Sequence, residues 1–123
     1  MSSELMERAR VGLEAWQRGD VDALEPLLDP SVELTWWEPG EWDCHGRDEV
    51  LALLRERAEE GAMRAEVELV DAGEDALVVA RRATVQDGPE AGFRPATLIT
   101  FRDGRVVSMR QFRHREEALA AAG

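Results

Sequence analysis

Residues 93–114 read F-R-P-A-T-L-I-T-F-R-D-G-R-V-V-S-M-R-Q-F-R-H. Two β-rich runs flank Asp103-Gly104, a dipeptide that accepts the positive φ values of a two-residue hairpin turn. The spacing predicts strands over 93–102 and 105–114. Alternation puts Thr97, Ile99 and Phe101 on one face of the first, and Val107, Met109 and Gln111 on one face of the second. Upstream, D-G-P-E-A-G at 87–92 is a loop signal, and 76–86 predicts another strand. Over 65–71, Val67 and Leu69 alternate with Glu66 and Glu68, the pattern of a half-buried strand. Downstream, E-E-A-L-A-A-A-G at 116–123 predicts a short closing helix.

The first half has a different period. Leu5, Ala9, Leu13 and Trp16 recur at helical spacing over 3–18. Gly19-Asp20 stops that helix, and Asp20 is placed to cap a second one running through Leu24, Leu27 and Leu28 until Asp29-Pro30. V-E-L-T-W-W at 32–37 predicts a strand. A third helix opens at Gly46, with Asp48 and Glu49 at its positive end and Val50, Leu54 and Ala58 on its buried stripe. R-E-R-A-E-E at 55–60 has the composition of a solvated helix face. Three N-terminal helices followed by a meander of strands predict one α+β domain over 1–123. The helices pack on the concave face of a curved antiparallel sheet.

Composition narrows the partners. The chain carries 15 basic residues, all arginine, against 26 acidic ones, for a net charge of −11. Without a basic stripe, neither nucleic acid nor an anionic membrane is an expected partner. Lysine and tyrosine are absent, which excludes Schiff-base chemistry and a tyrosine acid. A single cysteine makes no internal disulfide, and the first residues lack a signal-peptide pattern, so a cytoplasmic location is expected.

The densest chemistry lies at 35–50, T-W-W-E-P-G-E-W-D-C-H-G-R-D-E-V, with three of four tryptophans, the only cysteine and one of two histidines. If extended, Cys44 and His45 point to opposite sides and form no thiolate–imidazole pair; a catalytic cysteine would need His114. A buried, inert thiol is the alternative. No second ligand stands at zinc-like spacing from Cys44 or His45, so no metal site is expected. His45, as an imidazole, is an acid–base candidate, or else a histidine bonded to backbone. Arg81, in register with Leu77 and Val79, would meet either a ligand carboxylate or an internal acid such as Asp71.

Four segments together resemble the nuclear transport factor 2 superfamily, within it the SnoaL-like and ketosteroid-isomerase-like proteins. They are W-Q-R-G-D-V-D-A-L at 16–24, D-P-S-V-E at 29–33, H-G-R-D-E-V at 45–50 and F-R-D-G-R-V-V-S-M-R at 101–110. The resemblance implies a cystatin-like cone with a central pocket, and often a dimer. It does not name a reaction, since the fold hosts isomerases, cyclases, dehydratases, hydrolases and binders. In the register of those motifs, Gly12, Leu34 and Ile99 stand where a ketosteroid isomerase has its tyrosine and two aspartates, so that activity is excluded.

The same register turns Val32, Leu34 and Trp36 inward and Glu33, Thr35 and Trp37 outward. With Trp16, Trp42, Ile99, Met109 and Gln111 it makes a largely apolar pocket for a small apolar or aromatic molecule, needing no cofactor. The same residues could instead fill a solid core. Glu38, set between tryptophans and the turn at Pro39-Gly40, is the candidate general base if the loop excludes water from it, with His45 nearby. A cofactor-free acid–base enzyme and a non-catalytic binder both remain open. A carboxylate or histidine inside the pocket favours the first. The outward sheet face, with Thr35, Trp37, Thr100, Arg110 and Phe112, is expected to pack against a second copy in a homodimer.

Overall fold

The structure, a computed structural model, describes residues 3–38, 40, 43–61, 66–81 and 95–122. Helix α1 (Ser3–Gln17) half-buries the predicted stripe of Leu5, Ala9, Leu13 and Trp16, and its buried residues are Gly12 and Ala15. It closes where Gly19 takes φ 75°, with the Asp20 N–H reaching the Ala15 carbonyl at 2.9 Å, a glycine-assisted helix end. Asp20 then caps the next segment as expected, its Oδ1 accepting from the Ala23 N–H at 3.3 Å. That segment, Val21–Leu27, is a 3₁₀ helix rather than an α-helix. It is short, and Pro26 has no N–H to contribute to an α-ladder.

Strand β1 (Leu28–Thr35) starts four residues earlier than the sequence suggests and runs through Pro30. Proline is tolerated there because the ladder is irregular between Leu28 and Glu33. A two-residue strand, β2 (Cys44–His45), pairs with β1 through Glu33–His45 and Leu34–Cys44. Gly46, at φ 92°, makes the turn into α2 (Arg47–Glu59). Strands β3 (Val67–Asp71), β4 (Ala76–Arg81), β5 (Ala96–Arg102) and β6 (Arg105–Phe112) follow, and α3 (Arg115–Ala122) ends the described chain.

The six strands form one curved, unclosed sheet in the order β2-β1-β6-β5-β4-β3. The meander β3 to β6 is antiparallel throughout, but β1 joins β6 in parallel. At the β5–β6 turn, Asp103 and Gly104 both take positive φ, 54° and 80°, as the dipeptide predicts. Arg8 of α1 lies across this turn and donates to the Gly104 carbonyl at 2.9 Å.

A bulge changes one expected face. Thr100 pairs with Ser108, yet Phe101 pairs with Val106, so Val107 is an extra residue on β6. Val106, not Val107, therefore turns inward and is buried with Phe101.

Two apolar layers follow. On the concave side Val21, Leu28, Val32, Leu34, Val50, Leu51, Leu77, Phe101 and Val106 form the main core. On the other side α3 packs Ala118, fully buried, against Val78, Ala80, Ala96 and Leu98, with Phe112 and Leu119 beside them. Arg115 ties this helix down by donating from Nε to Glu68 Oε1 at 2.8 Å. This corrects the bare outward face expected at Phe112, which is half-buried in the layer that the chain's own α3 makes. Trp37 stays 39% exposed, with the Arg113 guanidinium 5.3 Å from its ring centre.

Candidate functional site

The helices and the sheet do not meet everywhere. Between them lies a cavity of about 610 Å³, within the usual range of small-molecule pockets. The sheet builds its floor in cross-strand rows. Leu34 pairs with Met109, Met109 with Ile99, and Ile99 with Leu77, giving a row that is apolar from end to end. The next row runs from Gln111 to Thr97 to Val79 to Leu69. There the Thr97 hydroxyl donates to Gln111 Oε1 at 2.7 Å, a cross-strand pair in a half-buried place. Gly12, Leu13 and Trp16 of α1, Leu24 and Leu27 of the 3₁₀ helix, and Leu53 and Leu54 of α2 form the roof.

The charged groups on the described lining are Arg8 and Arg57; no carboxylate or histidine is among them. Arg57 lies with its guanidinium carbon 5.3 Å from the centre of the Trp36 ring, within cation–π distance. Since Thr35 pairs with Arg110, Trp36 follows at the level of Gln111. Arg57, Trp36, Gln111 and Thr97 therefore mark one end of the cavity. Arg8 marks the other, at the β5–β6 turn.

Trp16, Leu34, Trp36, Ile99, Met109 and Gln111 all line the cavity. Trp42 lies outside the described residues. The two acid–base candidates do not line it. Glu38 has a side chain 80% exposed, accepting from Arg113 Nη2 at 3.3 Å, so the water exclusion expected of it is absent. His45 is 68% exposed and stands 3.9 Å from Glu33 on the outward side of β1. Alternation explains the result, because His45 pairs with Glu33 and shares its face. His45 borders a separate, shallow groove of about 310 Å³ with Pro30 and the first residues of α2. The side chain of Arg81 lies outside the described residues. Its backbone pairs with Val67 while Asp71 pairs with Leu77, so Arg81 and Asp71 sit at opposite ends of the β3–β4 ladder.

Cys44 faces inward from β2 opposite Leu34 and is buried. Burial pushes its thiol up from the ordinary value, and the nearby carboxylates of Glu49 and Asp43 add to the effect. It is held as the neutral thiol, a packing residue rather than a nucleophile.

Two groups that shape the cavity wall and the loop beside it escaped the sequence reading. Arg57 sits in a charged run, but it falls three residues after Leu54 and four after Leu53, which puts it above the apolar stripe. Asp43 organises the tryptophan loop: Oδ1 accepts from the Trp36 N–H at 3.1 Å and Oδ2 from the Gly40 N–H at 3.4 Å. An aspartate shortly after a glycine turn was the available signal. Among the described residues no group of three or more histidine, cysteine or acidic side chains is placed to hold a metal. No described helix is long and apolar enough to cross a membrane.

A six-stranded cone with helices on its hollow side and an apolar cavity between them defines the class, and comparison with known proteins agrees. Residues 10–109 match the model of the SnoaL-like domain, and the chain belongs to that family, within the nuclear transport factor 2-like superfamily. No curated protein matches the chain. Among solved structures it is similar to an NTF2-like protein of unknown function from Burkholderia pseudomallei, at 25% identity over 97% of both chains with a TM-score of 0.65. It is also similar to a putative polyketide cyclase from Xanthomonas campestris pv. campestris, at 16% identity over 98% of this chain and 97% of the other, TM-score 0.63. An LEH-like epoxide hydrolase from M. tuberculosis is 17% identical over 98% of this chain and 85% of its own, TM-score 0.64.

Proposed function

We propose that the protein binds a small, largely apolar or aromatic molecule in the cavity between helices and sheet, and that the described lining holds it without acid–base chemistry. One observation carries the proposal: a cavity of about 610 Å³ whose described lining is mostly aliphatic and aromatic, with no carboxylate or imidazole. General acid–base catalysis needs a titrating group within hydrogen-bond reach of the reacting atom. Glu38 and His45, the candidates for that role, are both exposed away from the cavity. This favours the non-catalytic binder over a cofactor-free enzyme. The cyclase and hydrolase names of two similar structures do not weigh against it, since relatives at 16% and 17% identity lend this chain their fold alone.

Calorimetric titration with the neutral aromatic 2-naphthamide tests the proposal. One molecule is expected to bind per chain, and binding is expected to be lost in Ile99→Phe and in Met109→Phe, each of which fills the floor row. No saturation by the wild type, or equal binding in a folded cavity-filled variant, would refute it.

A further inference from the structure

We infer that the bound molecule is an organic acid, its apolar body on the Leu34–Met109–Ile99 row and its carboxylate at the Arg57 end. This rests on the cavity being the binding site, and it adds the charge of the ligand.

The first ground is the distribution of charge. The chain carries 26 acidic residues against 15 arginines, yet the described lining reverses that balance, with Arg8 and Arg57 and no carboxylate. In a cleft with low-dielectric walls, the charges on those walls dominate the local field, whatever the sign of the whole molecule.

The second ground is the chemistry of the groups at one end. Gln111 Oε1 accepts from the Thr97 hydroxyl, which leaves its amide N–H₂, a donor, for a ligand. Arg57 has only donors, and its guanidinium lies over the Trp36 ring, 5.3 Å from the ring centre, on the cavity lining. The charged donor at this end is the guanidinium, and a carboxylate is the acceptor whose geometry its fork fits.

The third ground separates the two arginines. Arg8 is engaged at the far end, bonded to the Gly104 carbonyl at 2.9 Å and 3.8 Å from Glu4. Among the described residues Arg57 faces Glu60, the C-cap residue that ends α2, at 3.7 Å with both side chains exposed. An exposed pair of that kind is weak, and Arg57 can exchange it for a ligand carboxylate.

The test compares 2-naphthoate with its neutral isostere 2-naphthamide by calorimetry, on wild type, Arg57→Gln and Arg8→Gln. The wild type is expected to bind the carboxylate about tenfold more tightly than the amide. Arg57→Gln is expected to bring the two affinities together by weakening the carboxylate while leaving the amide unchanged. Equal affinities in the wild type would overturn the acid and leave the cavity reading standing. A preference that survives Arg57→Gln but falls in Arg8→Gln would overturn the assignment to Arg57. Failure of both compounds to bind would overturn the cavity reading and this inference with it.

Discussion

Asp43 and Trp36 are joined across the tryptophan loop: the Asp43 Oδ1 accepts the Trp36 backbone N–H at 3.1 Å. The other carboxylate oxygen takes the Gly40 N–H at 3.4 Å, and the Asp43 N–H returns to the Gly40 carbonyl at 3.2 Å. One side chain therefore sets the direction in which β1 leaves the sheet, and with it the Trp36 ring that borders the cavity.

Replacing Asp43 by alanine strands two backbone donors, and the expected loss is about 1–2 kcal/mol. Thermal unfolding is expected to move down by about 3–6 °C. Asp43→Asn keeps one acceptor and is expected to lose less. An unchanged midpoint in Asp43→Ala would show that the loop is held by other contacts.

The outer layer makes a separate prediction. Ala118 is fully buried between α3 and the sheet, so Ala118→Glu forces a carboxylate into an apolar layer and is expected to cost about 3 kcal/mol or more. Arg115→Ala removes the half-buried pair with Glu68 and is expected to cost about 1 kcal/mol. Urea unfolding checks both. A mild effect of Ala118→Glu would mean that α3 leaves the sheet easily, and the outward face around Phe112 would again be free for a second copy.

Local patterns made much of this legible. The alternation in A-T-L-I-T-F placed Thr97, Ile99 and Phe101 correctly, and Asp103-Gly104 marked its turn, because both depend on neighbours in sequence. The parallel pairing of β1 with β6 did not show, since strand partners distant in the chain are chosen by tertiary packing. Nor did the bulge at Val107, which leaves the apolar pattern of V-V intact while exchanging which valine is inside. Glu38 and His45 were attractive for their neighbours in sequence. Their exposure depends on the path of the loop and on the pairing of Glu33 with His45, which composition does not encode.

Gly12 offers a test of the space between helix and cavity. A Cβ there would meet Leu27 Cδ1 at 3.1 Å and Leu24 Cδ2 at 3.7 Å. Leu27 borders the cavity and has room to turn aside. Gly12→Ala is therefore expected to keep most of the helix-propensity gain and to stabilise by about 0.5 kcal/mol, read from the urea midpoint. Destabilisation by about 1 kcal/mol would mean that the cavity is closed against α1.

Cys44 predicts a pH dependence. Burial raises its folded thiol above the ordinary value, so the unfolded chain ionises first as pH rises. The stability it contributes is complete below the unfolded value, and falls as pH climbs from there towards the folded one. Cys44→Ala is expected to flatten the decline in stability above pH about 8.5. In the wild type, reaction with a disulfide reagent at pH about 8 is expected to run at the rate of unfolding. Rapid labelling of the folded protein would contradict the buried, neutral thiol.

Methyl and indole NMR spectra recorded during a titration with 2-naphthamide test the central claim most directly. The account predicts saturable shifts at Leu34, Ile99 and Met109 and at the indoles of Trp16 and Trp36, all on the cavity wall, with the His45 ring unmoved. Shifts confined to His45 and the groove at the start of α2, or no shifts on the cavity wall at all, would contradict it.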